Sequence, residues 1–109
     1  MNFNDYQTRS RKTAGYPPIG HPVIYPTLGL VNEAGEVAGK IKRIHRDDND
    51  VLTEDRRRQI LIECGDVYWY LNRLVAKLDS TMYVVRGMNI DKLRDRAARN
   101  VLKGEGDNR

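Results

Sequence analysis

Two short acidic motifs of equal spacing stand out in the chain, Glu33-Ala34-Gly35-Glu36 and Glu63-Cys64-Gly65-Asp66. In each, two carboxylates sit three residues apart within an apolar, helix-periodic segment. Residues three apart share one face of a helix, so each motif presents an acidic pair. Two such helices side by side would gather four carboxylates in one small volume. Like charges held there raise one another's pKa and oppose ionisation unless a cation intervenes. An all-oxygen ligand set suits a hard divalent ion, Mg²⁺ first and Mn²⁺ as a substitute. Other readings of the same residues stay open. Charged pairs decorate many solvated helix faces, and Arg or Lys can neutralise buried acids. A di-iron bundle also collects helix carboxylates but needs Glu-x-x-His on two helices, and neither His21 nor His45 lies in such a motif.

Four helices are expected to carry and surround these acids. The first covers 3–13, with Asn4 as N-cap and Tyr6 facing inward. The stretch Gly15-Tyr16-Pro17-Pro18-Ile19-Gly20-His21-Pro22 breaks the periodicity, and Pro26 closes the loop. His21, with no second histidine at ligand spacing, reads as an ordinary surface residue. Thr27 caps a second helix to about Arg46, whose apolar stripe is Leu30, Ala34, Val37, Ala38, Ile41 and Ile44. At ~100° per residue, Glu33, Glu36 and Lys40 fall on an arc beside that stripe. Gly35 and Gly39 each cost roughly 1 kcal/mol of helix propensity, which points to close approach by a neighbour.

Asp47-Asp48-Asn49-Asp50 is a polar turn without the pattern of a Ca²⁺ loop. Thr53 and Glu54 open a third helix to Leu78. Its residues Ile60, Val67, Leu71, Leu74 and Leu78 form one apolar face, and Ile62, Trp69 and Ala76 form another. Glu63, Asp66 and Tyr70 lie between them. A helix apolar on two sides is buried on two sides, which in so small a chain implies a subunit interface as well as a core. Trp69 belongs to that core or interface. A fourth helix follows Asp79-Ser80-Thr81 and runs to about Lys103, with a possible break at Gly87; Asn89, Lys92, Arg96, Arg99 and Lys103 share one face.

The 109 residues make one domain, 1–109, and the fold class is all-α. With 39% hydrophobic and 31% charged residues the chain is globular with a polar surface. A net charge of +4 favours anionic ligands. Cys64 is the lone cysteine, so no internal disulfide forms and a reducing compartment is expected. With no apolar leader and no run of ~20 apolar residues, a cytoplasmic protein without a membrane partner is expected.

The segments YPTLGLVNEAGEVAGKIK (25–42) and ECGDVYWYLNRL (63–74) resemble the MazG-like all-α nucleoside triphosphate pyrophosphohydrolases. The hallmark of that family is E-x-x-E followed after a variable gap by E-x-x-D, here Glu33, Glu36, Glu63 and Asp66. Asn89-x-x-Lys92-Leu93-x-x-Arg96 and the closing Gly104-x-Gly106-Asp107-Asn108-Arg109 are similar to its C-terminal pattern. The resemblance implies a four-helix bundle completed by oligomerisation, as a homodimer or homotetramer, because a single copy of the motif is present. It also implies Mg²⁺-dependent hydrolysis of (deoxy)nucleoside triphosphates to the monophosphate and pyrophosphate. In that reading Glu33, Glu36, Glu63 and Asp66 hold the metal. Glu36, or another of the glutamates such as Glu63, acts in catalysis by taking the proton of the attacking water. Lys40, Asn89, Lys92 and Arg96 bind the substrate, Arg96 in bidentate fashion.

The alternatives are a non-catalytic helical module that binds polyanions through its basic helix, and the same fold acting on a phosphoribosyl or modified nucleotide. Nucleic acid is a poor candidate partner, since no base-reading helix pair or aromatic platform is evident.

Overall fold

The structure, a computed structural model, describes residues 1–17 and 20–99. It is all-α, with helices α1 (Phe3–Arg11), α2 (Ile24–Asp47), α3 (Glu54–Lys77) and α4 (Met82–Ala98) and no strand among the described residues. The closing Gly104–Arg109 pattern, Val101 and Lys103 lie outside the described residues.

Local chemistry sets the helix starts. Asn2, rather than Asn4, caps α1: its Oδ1 accepts from the Asp5 N–H at 2.8 Å, and Asp5 Oδ2 accepts from the Asn2 N–H at 3.4 Å. This reciprocal box satisfies two otherwise orphaned donors. Thr53 caps α3 and Thr81 caps α4, each through its side-chain oxygen.

α2 begins four residues earlier than expected, with Val23 rather than Thr27 at the cap position and no side-chain cap. Pro26 therefore lies in the first turn and is fully buried. Proline is tolerated there because the first-turn N–H groups have no intrahelical acceptor anyway. Thr27 does not cap; its Oγ1 donates back to the Val23 carbonyl at 2.7 Å. α4 continues through Gly87 without a break.

α2 and α3, each 24 residues long, form the main packed pair. Their connection is held by Arg56, whose Nε donates to Asp48 Oδ2 at 2.7 Å. Asn49 and Asp50 take left-handed conformations there, at φ 52° and 61°, which short polar side chains tolerate better than most. α1 lies across α3. Tyr6 meets Tyr68 edge-on at 4.7 Å, Arg73 Nη2 donates to the Gln7 carbonyl at 3.2 Å, and Trp69 Nε1 donates to Thr13 Oγ1 at 3.0 Å. α4 leans on α1, where the Arg86 guanidinium covers the Phe3 ring at 5.0 Å.

The interior is thin. Ile44 and Val75 are the buried hydrophobic residues among those described, while Leu28, Val31, Ile41, Leu61 and Ile62 on α2 and α3 are each more than 50% exposed or at that value. The radius of gyration, 17.0 Å, exceeds the ~13 Å of a compact chain of ~100 residues. A Cβ at Gly35 or Gly39 would meet nothing within 4 Å. The close approach expected at those two glycines is therefore absent within one chain. It occurs at Gly29, where an added Cβ would overlap the Tyr70 ring.

Candidate metal centre

Packing α2 against α3 brings Glu33, Glu63 and Asp66 together. One carboxylate oxygen from each lies within 4.8 Å of the others. Two oxygens on opposite sides of one hard divalent ion stand ~4 Å apart for Mg²⁺ and up to ~5 Å for Ca²⁺. The donor set is all oxygen, and its spacing fits the larger ion as it stands, while Mg²⁺ would draw the carboxylates closer by under ~1 Å. Glu33 and Glu63 are half-buried and Asp66 is exposed, so the site opens to solvent on one side.

The electrostatics point the same way. Burial, then the neighbouring charges of Asp66, Glu63 and Glu36, push the Glu33 carboxyl above its ordinary value of 4.5. Folded protein thus holds the Glu33 proton more tightly than unfolded chain does. That contribution to stability is present in acid and is lost as pH rises from 4.5 through the raised value. A bound cation offsets the repulsion that remains at neutral pH. Saturating Mg²⁺ is therefore expected to raise the melting temperature at pH 7, with the gain already shrinking as pH falls through the raised Glu33 value, above 4.5. Thermal melts in Mg²⁺ and in EDTA across that range measure it; a gain independent of pH would mean that Mg²⁺ acts elsewhere.

The other anticipated residues are placed less uniformly. Lys40, one turn beyond Glu36, reaches across to α3, with its Nζ 3.9 Å from Glu63 Oε1. Both side chains are about one-fifth exposed (21% and 17%), so the pair is shielded on most sides. Glu36 is exposed and stands outside the three-carboxylate group, although its charge still reaches Glu33. Asn89, Lys92 and Arg96 sit on α4, which packs on α1 rather than flanking the acids. Asn89 and Lys92 are exposed, whereas Arg96 is only 3% exposed.

Beside the acids runs a row of rings that the sequence pattern did not reveal. Tyr16 stacks on Tyr25 at 4.7 Å, meets Trp69 edge-on at 6.2 Å, and Trp69 meets Tyr70 at 4.9 Å. Glu33, Asp66, Trp69 and Tyr70 together line a recess of about 240 Å³. Trp69 is thus a half-buried wall of the site. Tyr70 can close over α2 because Gly29 leaves it room; burial, and the tyrosine and carboxylate charges around it, push its hydroxyl above the ordinary value of 10.0. The available signal was Tyr70 on the arc of Glu63 and Asp66, combined with a glycine one turn before Glu33.

No helix among the described residues is long and apolar enough to cross a membrane. No protein-family model matches the chain, and no solved structure matches it. The gene 37 protein of Mycobacterium phage L5 is 41% identical over 114 aligned residues, and the match spans the whole of both chains. The chain belongs to the family of that phage protein.

Proposed function

We propose that the protein is a Mg²⁺-dependent pyrophosphohydrolase that converts (deoxy)nucleoside triphosphates to the monophosphate and pyrophosphate. The observation that carries this reading is the convergence of Glu33, Glu63 and Asp66 from two helices to within 4.8 Å. The same acids form part of the motif pair through which the sequence resembles the MazG-like enzymes. Glu33, Glu63 and Asp66 would hold Mg²⁺ or Mn²⁺, with Glu36 joining after a side-chain movement. Bound there, the ion would neutralise phosphate charge and acidify water.

The chain's own residues account for the rest. Glu36, exposed and outside the tight group in the free protein, would take a proton onto its carboxylate as water adds to the α-phosphorus. The α–β bridging P–O bond breaks and pyrophosphate leaves. Lys40 partners Glu63 before substrate arrives and can turn its ammonium to a phosphate oxygen afterwards. Trp69 and Tyr70 wall one side of the recess and limit water entry.

The substrate role of Asn89, Lys92 and Arg96 requires α4 to approach these acids, and within one chain α4 lies on α1. That role therefore rests on association, which the thin core and the open apolar faces of α2 and α3 support. A homodimer or homotetramer in light scattering is the expected state. Gly35→Ala fills open space on α2. It is expected to stabilise that helix by roughly 1 kcal/mol and to shift the assembly toward monomer. An unchanged mass would place the interface elsewhere.

The deciding experiment is pyrophosphate release from the eight common ribo- and deoxyribonucleoside triphosphates with Mg²⁺, Mn²⁺ or EDTA. Release that requires the metal is the expected result, and the fastest triphosphate names the substrate. No release from folded, metal-loaded protein would overturn the reading for ordinary triphosphates. The same assay on phosphoribosyl and modified nucleotides would then decide between substrates of this fold.

A further inference from the structure

A second cavity, of about 410 Å³, opens where the end of α1, the loop before α2 and the end of α3 meet. Its size falls within the ~300–1,000 Å³ of small-molecule sites. Arg11, His21, Arg73 and Lys77 line it together with Tyr16 and Tyr25, and no carboxylate does so among the described residues. Arg73 lies two turns beyond Asp66 on α3, about 10 Å along the helix axis, so the cavity is separate from the acidic recess. The Tyr16–Tyr25 stack and Trp69 stand between them.

Arg73 is the decisive residue. It is 3% exposed, its Nη2 donates to the Gln7 carbonyl, and its Nε is buried with no hydrogen-bond partner. No described carboxylate pairs with it, and burial lowers its pKa, with Tyr16 opposing that shift and the like charge of Arg11 adding to it. A buried guanidinium left this way is costly unless an anion meets it. The Tyr16 hydroxyl is likewise buried and unpartnered. His21 Nδ1 accepts from the Val23 N–H at 3.3 Å, so the neutral ring keeps its proton on Nε2 as a further donor. Arg11, Arg73 and Lys77, with His21 as a further donor, fit a dianion better than a single carboxylate, and a phosphate group carries about −1.5 to −2 at neutral pH.

We propose that this cavity is a binding site for a small molecule carrying a phosphate group, held by Arg73 at the back and by Arg11 and Lys77 at the rim. The site works without a divalent ion, so it stands or falls independently of the metal-centre reading. The ligand is either a free phosphate or pyrophosphate ion or the phosphate of a mononucleotide.

Thermal melts and calorimetry of the full chain in EDTA, with inorganic phosphate, pyrophosphate or a nucleoside monophosphate at matched ionic strength, test it. At least one of the three is expected to raise the melting temperature relative to chloride, and the tightest identifies the source. Arg11→Gln and Lys77→Gln, both at exposed positions, should each weaken that binding about tenfold. Arg73→Met should abolish it, and if that variant does not fold the two rim variants decide. Glu63→Gln should leave it intact. Failure of all three probes to bind at about 10 mM, binding that ignores both rim substitutions, or binding lost with Glu63→Gln would each overturn the assignment.

Discussion

A Glu63→Gln variant is expected to lose metal-dependent pyrophosphate release by a hundredfold or more while remaining folded. Glutamine keeps the shape and one oxygen but removes the charge. Glu63 serves two neighbours at once: it closes the three-carboxylate group with Glu33 and Asp66, and it partners Lys40 at 3.9 Å. Outer-shell changes alone cost about 10–100-fold in metal affinity or activity, and Glu63 is in the proposed ligand group itself. Loss of one negative charge also relieves Glu33, whose raised pKa owes part of its shift to Glu63. The apo variant should therefore be no less stable than the parent at pH 7, while Mg²⁺ should protect it less. Steady-state assays beside thermal melts separate the two effects. Retained activity would remove Glu63 from the machinery, and loss of folding along with activity would assign it a structural role.

Gly29→Ala is expected to produce the largest stability loss among single-methyl changes in α2. Alanine normally favours a helix interior by roughly 1 kcal/mol over glycine. At this position the new Cβ would overlap three atoms of the Tyr70 ring, so the ring or the helix must move. Overpacking of this kind costs about 1–3 kcal/mol. It should cancel the propensity gain and leave a lower melting temperature. Tyr70 also walls the acidic recess with Glu33 and Asp66, so Mg²⁺ protection should weaken in the same variant. Tyr70→Leu in the Gly29→Ala background should recover stability, because the smaller side chain vacates the space. A double-mutant cycle measures the coupling, and additive effects would show that the two residues do not meet.

The helical content was legible because it depends on neighbours a few residues away. The periodicity of Leu30, Val37 and Ile44 and of Val67, Leu71 and Leu74, together with Thr53 as a cap, required no long-range information, and α3 lies within a residue of its expected span. The start of α2 was less legible. Proline signals a break in most contexts, yet Pro26 lies buried in the first turn of α2, where a missing N–H costs nothing. The acidic pairs were visible as types and spacing, and a shared face on each helix followed from helix geometry. Which acids meet depends on how α2 and α3 rotate against each other. That rotation gathers Glu33, Glu63 and Asp66 and leaves Glu36 outside.

Burial of polar residues could not be read from the chain at all. Asn72 and Arg73 are polar residues near the end of α3, yet they are 1% and 3% exposed, and Arg73 is tied to the Gln7 carbonyl of α1. Gly29, rather than Gly35 or Gly39, proved to be the point of close approach, since that property belongs to the ring opposite and not to the glycine. The sequence by itself determined four helices, the threonine caps of α3 and α4 and the acidic composition of one face on each of α2 and α3, since propensity and period act locally. Tertiary structure alone decided which carboxylates share a site, that a row of aromatic rings borders it, and that a buried arginine lines a neighbouring cavity. Each of those is a relation between residues dozens of positions apart, set by packing of whole helices.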